Sequence, residues 1–64
     1  LSKQEANEII QDCWQNQHYM GQIYSLSTIG LAIETIRSRK SSTKSELEYA
    51  DHIEKRYLEI KYSA

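Results

Sequence analysis

Residues 44–62 read KSELEYADHIEKRYLEIKY. Wound at about 100° per residue, this run is a helix with apolar side chains on two sides. Tyr49, Ala50, Ile53, Tyr57 and Ile60 fall on one stripe. Leu47, Leu58 and Tyr62 fall on a second, centred roughly 130° from the first. One neighbouring layer covers one stripe. This segment therefore calls for two neighbours, and in so short a chain one of them can belong to another molecule.

The signals on either side agree with a helix. Thr43-x-x-Glu46 and Ser45-x-x-Glu48 both have capping-box spacing at its start, and Asp51 with Lys55 supplies an i,i+4 ion pair. Ser41-Ser42-Thr43 reads as the connection before it. Upstream, Leu26, Ile29, Ile33 and Ile36 recur at helical spacing, which predicts a helix over residues 28–39. Ser25 or Ser27 caps that helix, and Leu26 is placed to staple against Leu31. Arg37, Arg39 and Lys40 suit its C-terminal dipole. At the N-terminus, Ser2 to Glu5 has capping-box spacing, followed by Ala6, Ile9, Ile10, Cys13, Trp14, Gln17 and Met20 within one arc of about 140°. This predicts a helix over residues 3–20, with Gly21 as its terminator.

The apolar phase breaks between Met20 and Leu26, which favours three separate helices over one long bent helix. The expectation is an all-α single domain over residues 1–64: a small three-helix bundle with helices 3–20, 28–39 and 44–62, and dimeric. The other arrangement is a bent helical hairpin, which must dimerise to bury its apolar faces. The chain contains no proline and two glycines, which argues against a turn-rich β fold.

Sixty-four residues make one small domain with a marginal core. One cysteine rules out an internal disulfide and a cysteine-paired zinc finger. A lone cysteine without a secretory leader leads us to expect a reducing, cytoplasmic setting. A start at Leu1 rather than Met is compatible with removal of a leader or a larger parent protein. The uncharged stretch from Trp14 to Ile33 carries too many amides and hydroxyls to span a bilayer. Formal net charge is −1, and the one basic stretch is residues 37–44.

Catalytic and cofactor chemistry find no footing. Cys13 and His18 lie about 140° apart around a helix, so they do not form a nucleophile and base. Cys13 falls on the apolar stripe and reads as a small core residue. His52 with Asp51 reads as solvated surface. No metal-ligand spacing, phosphate loop or dinucleotide fingerprint is present. We therefore expect no enzyme activity, no cofactor, no small-molecule ligand and no membrane partner.

The expected function is protein–protein interaction: a regulatory or adaptor module that dimerises or binds a partner protein through an apolar Tyr/Ile/Leu surface of the last helix. The candidate partner-binding residues are Trp14, Leu47, Tyr49, Ile53, Tyr57, Leu58, Ile60 and Tyr62. The alternative rests on residues 27–37. The pattern Ser27-Thr-Ile-x-x-Ala-Ile-x-x-Ile-Arg37 resembles the recognition helix of helix-turn-helix DNA-binding proteins. The resemblance implies a small transcriptional regulator using residues 27–40. Ser27, Thr28, Arg37, Arg39, Lys40 and Lys44 would then contact nucleic acid. Two features depart from that pattern. The turn glycine belongs at Ile23, whereas the chain has Gly21, and the positions that would face bases are Leu31 and Glu34.

Overall fold

The computed structural model describes residues 1–63. They form four helices in chain order: α1 (Lys3–Gln15), α2 (Met20–Ile23), α3 (Leu26–Ser38) and α4 (Lys44–Tyr62). No strand occurs among the described residues. The three long helices pack against one another pairwise.

Helices α1 and α4 start at the expected residues, whereas α3 starts at Leu26, two residues before the expected start, and stops at Ser38, one residue before the expected end. Ser2 and Glu5 form a reciprocal capping box on α1, as do Thr43 and Glu46 on α4. Of the two candidate caps for α3, Ser25 is the one used: its Oγ accepts from the Thr28 N–H at 3.2 Å. Leu26 is the first residue of α3 and packs partly buried against the core. With Ser25 as the cap, Leu26 lies inside the helix and not before its cap, so the anticipated staple to Leu31, itself 54% exposed, loses its geometry.

The N-terminal segment differs from expectation. Helix α1 ends at Gln15 and not at residue 20. The next residues, Asn16, Gln17 and His18, have no apolar side chain to hold another turn on the core. Asn16 leaves the helical conformation and returns its side-chain amide to the Asp12 carbonyl at 3.0 Å. The chain resumes as the one-turn helix α2, which delivers Met20 to the core, fully buried. Gly21 is not a left-handed terminator: no glycine has positive φ, and this one is helical.

That difference yields a prediction. A Cβ added at Gly21 would meet Ile60 side-chain atoms at 3.6 Å, an ordinary contact. Gly21→Ala should therefore stabilise the fold by about 0.4–1 kcal/mol, through lower entropy of the unfolded chain. The check is a higher urea midpoint at unchanged slope.

The core consists of Ala6, Ile9, Ile10 and Cys13 from α1, Met20 from α2, Ile29, Ala32, Ile33 and Ile36 from α3, and Ala50 and Ile53 from α4. Burial and the neighbouring Asp12 charge push the Cys13 thiol up to about 11, so it stays protonated and inert as a packing residue.

Cross-links between helices fix their directions. Helix α1 runs parallel to α4: Asn7 donates to Glu46 at 2.6 Å near their starts, and Arg56 donates to the Gln17 carbonyl at 3.3 Å further along. Helix α3 runs antiparallel to both. Arg39, just past its end, donates to the Leu1 carbonyl at 2.9 Å, and Arg37 reaches Asp51 and Glu54 on α4.

Glu46 is the polar hub of the end where α1 and α4 begin. It accepts from the Thr43 backbone N–H at 2.7 Å, from Asn7, and from Lys3 at 2.9 Å. These donors hold its carboxyl at about 2, led by the backbone bond and then by Asn7 and Lys3. A depressed folded-state value means that the contribution to stability is complete above the ordinary carboxylate range. It is lost as pH falls from about 4.5 towards about 2. Glu5 and Glu54 are shifted in the same direction. Acid titration of thermal stability should therefore slope steeply in that window. Glu46→Gln, which keeps the capping geometry without the charge, should flatten the slope.

Candidate protein-binding surface

Helix α4 is the longest element, and its two stripes meet different fates. On the first, Ala50 and Ile53 are wholly buried between α1 and α3. Tyr57 and Ile60 are partly buried against the same core. Tyr57 lies across Gly30 of α3, where an added Cβ would stand 3.0 Å from its hydroxyl oxygen. The absence of a side chain at Gly30 is what lets α3 accept this ring. Ile60 closes over Gly21 in the same manner, with more room. Three of the expected partner-binding residues (Ile53, Tyr57 and Ile60) are thus engaged within the chain. Tyr57→Ala would disturb the α3–α4 packing as well as any interface.

On the second stripe the side chains remain open. Leu47 and Leu58 are each 38% exposed and Tyr62 is 72% exposed. The stripe is not continuous. Asp51 and Glu54 lie between its ends, and both are held by Arg37 of α3. Arg37 forks onto the two Glu54 oxygens and also reaches Asp51 at 2.7 Å. These carboxylates, Glu54 first, raise the Arg37 pKa, and Arg37 in turn lowers that of Glu54. The network is solvent-exposed, so it fixes the α3–α4 register more than it adds to stability. The i,i+4 pair anticipated from Asp51 to Lys55 is replaced by this clamp. Lys55 makes no ion pair among the described residues. The open face therefore has two apolar ends, Leu47 on one side and Leu58 with Tyr62 on the other, flanking a charged centre.

The remaining two partner-binding candidates occupy the opposite flank. Trp14 of α1 meets Tyr49 of α4 edge to face, with ring centroids 5.2 Å apart. His52 joins Trp14 at 5.4 Å. Trp14 and Tyr49 are each 36% exposed, so Trp14 covers the α1–α4 seam and does not enter the core.

No protein family, curated protein or solved structure matches this chain. Its physical chemistry is therefore the sole basis for a functional reading.

The six residues suggested for nucleic-acid contact are largely committed elsewhere. Arg37 is clamped by Asp51 and Glu54. Arg39 is bonded to the Leu1 carbonyl. Ser27 and Thr28 share the hydroxyl network of the Ser25 cap, at 3.2 Å and 2.8 Å. The side chains of Lys40 and Lys44 make no ion pair with a described residue. The ten residues joining α1 to α3, one-turn α2 among them, do not make the three- or four-residue turn of a helix-turn-helix unit. Glu34 is exposed on α3, where a phosphate backbone would meet a like charge.

Sequence reasoning missed the Arg37 clamp, the Asn7–Glu46 bond and the bond from the Tyr24 hydroxyl to Asp12 at 2.6 Å. The last pushes the Tyr24 hydroxyl up to about 12 and ties the α1–α3 connection to α1. Each joins residues on different elements, and no local spacing announces such pairs. No helix among the described residues is long and apolar enough to cross a membrane.

Proposed function

We propose that the chain is a non-enzymatic interaction module that associates through the open side of α4. The observation that carries this is the split fate of that helix. Its own chain fully buries Ala50 and Ile53, while Leu47, Leu58 and Tyr62 remain exposed on the other side. Leu58 and Tyr62 stand one helical turn apart and Leu47 on the same side, so the three supply apolar anchors on one face for a partner to cover.

A second copy of the chain is the partner that best fits the pattern. Leu47 and Leu58 are eleven residues apart, which is about 16 Å along a helix and close to the same angular position. A two-fold axis crossing α4 midway between them would bring Leu47 of each copy onto Leu58 of the other. The same register would set Lys55 of one copy beside Asp51 of its mate, answering the charge at the centre. A different client protein would need the same two apolar anchors around a polar middle.

Sedimentation equilibrium tests the reading. The wild-type chain should show a concentration-dependent dimer, and the double variant Leu47→Glu, Leu58→Glu should remain monomeric. A wild-type chain that is monomeric at all accessible concentrations would remove the self-association form of the proposal. The DNA-binding alternative predicts retention on random duplex DNA at low salt, which the Arg37→Ala, Arg39→Ala variant should lose.

A further inference from the structure

The flank of α4 opposite Leu58 has a different chemistry. Tyr49 and Leu58 are nine residues apart, which puts them about 180° from each other around the helix. On the Tyr49 side a cavity of about 270 Å³ opens at the α1–α4 seam, lined by Trp14, Ser45, Glu48, Tyr49 and His52. Three of its five lining residues are aromatic, and one is a carboxylate. No lysine or arginine lines it.

Trp14 and Tyr49 each keep 36% of their surface exposed. Trp14 and Tyr49 are inclined at 82°, and Trp14 and His52 at 64°. In each edge-to-face pair one ring face is covered by its neighbour's edge, and a group seated in the corner would meet the ring surface that Trp14 and Tyr49 leave exposed. The face of an indole or phenol ring is electron-rich and attracts cations. Glu48 is exposed and makes no ion pair among the described residues. Glu48 supplies the one negative charge among the residues that line the cavity. A cation in the corner would gain an attraction to Glu48 that a neutral group of the same shape would not.

We propose that this corner is a binding site for an alkylated ammonium group. The bulky, weakly hydrated cation would rest against Trp14 and Tyr49, with Glu48 balancing its charge. The volume lies below the range of drug-sized sites, which restricts the occupant to a single head group. It can come from a free quaternary amine or from a methylated lysine side chain on a peptide. This departs from the sequence-based expectation of no small-molecule ligand. It is also independent of the Leu47–Leu58 surface, so either assignment can fail without the other.

The experiment is an NMR titration following the Trp14 indole N–H and the Tyr49 ring. The probes are choline, its neutral tert-butyl isostere 3,3-dimethylbutanol, and a short peptide with trimethyllysine or unmodified lysine. Choline should saturate and bind about twofold to fivefold more tightly than the isostere, the margin of an exposed cation–π contact. Glu48→Gln, at an exposed position that keeps the helix intact by circular dichroism, should weaken choline by severalfold and leave the isostere unchanged. If choline fails but the trimethyllysine peptide shows the same preference over unmodified lysine, the site stands with a peptide as its source. Equal binding of choline and its isostere, or no saturable shift with choline or the trimethyllysine peptide, overturns the proposal.

Discussion

Ile53→Ala should leave the isolated chain largely unfolded at 25 °C. Ile53 is fully buried and belongs to the core shared by α1, α3 and α4. Truncating such a side chain removes its transfer free energy and leaves a cavity, costing about 2–5 kcal/mol. A domain of this size, without a disulfide, has roughly 3–5 kcal/mol in total from a single core. The loss is therefore comparable with the whole stability. Circular dichroism should show collapse of the helical signal, whereas Ile53→Val, at about 0.5–1.5 kcal/mol, should remain folded with a lower melting temperature. Leu31→Ala provides the contrast, because Leu31 is exposed on α3 and its loss should stay within about 0.5 kcal/mol. Equal tolerance of the two truncations to alanine would mean that the core is not where the packing puts it.

Leu47→Glu with Leu58→Glu should abolish association and spare the fold. Both side chains are partly exposed in the single chain, and neither belongs to the buried cluster. Their replacement should change monomer stability little, within about 0.5 kcal/mol per site. At an interface the same positions are anchors. Losing an anchor costs about 2 kcal/mol, or roughly thirtyfold in affinity. Introduced glutamates add the cost of desolvating a charge, and they stand near Asp51 and Glu54. The combined effect should exceed about a hundredfold weakening. The two readouts must separate: melting of the dilute monomer stays near wild type, while the dissociation constant rises. If both fall together, the leucines serve the fold and not a partner.

The long helices were legible in the sequence because their signals are local. The Ser2–Glu5 and Thr43–Glu46 spacings specify caps that form as written, and the apolar period in Ile29, Ile33 and Ile36 marks the buried face of α3. The connection from Asn16 to Ser25 was not legible for a physical reason. Met20 lies at helical spacing from Cys13 and Trp14, so its burial is compatible with one longer helix or with a separate turn. The polar run before it, and the return of the Asn16 side chain to Asp12, select the second.

The surface was legible in outline. The period of α4 places Leu47, Leu58 and Tyr62 off its buried stripe, and these three side chains are partly or largely exposed. Which tyrosines are spent inside was not legible. Tyr57 is drawn inward by Gly30, a residue on another helix and 27 positions away in sequence. Arg37 reads in sequence as a free cation near a helix end. Its carboxylate partners stand 14 and 17 residues further on, and only the antiparallel packing of α3 on α4 brings them together. The Trp14 corner depends in the same way on the parallel register of α1 with α4.

The most direct test of the open side of α4 is a dilution series on the wild-type chain with its leucine and isoleucine methyl groups labelled for NMR. The methyls of Leu47 and Leu58, together with the Tyr62 ring, should move with concentration along one binding curve, while those of Ile10, Ile29 and Ile36 stay fixed. Methyl resonances of Leu47 and Leu58 that remain constant over the whole range, in a chain that is folded and monomeric throughout, would contradict self-association through this surface.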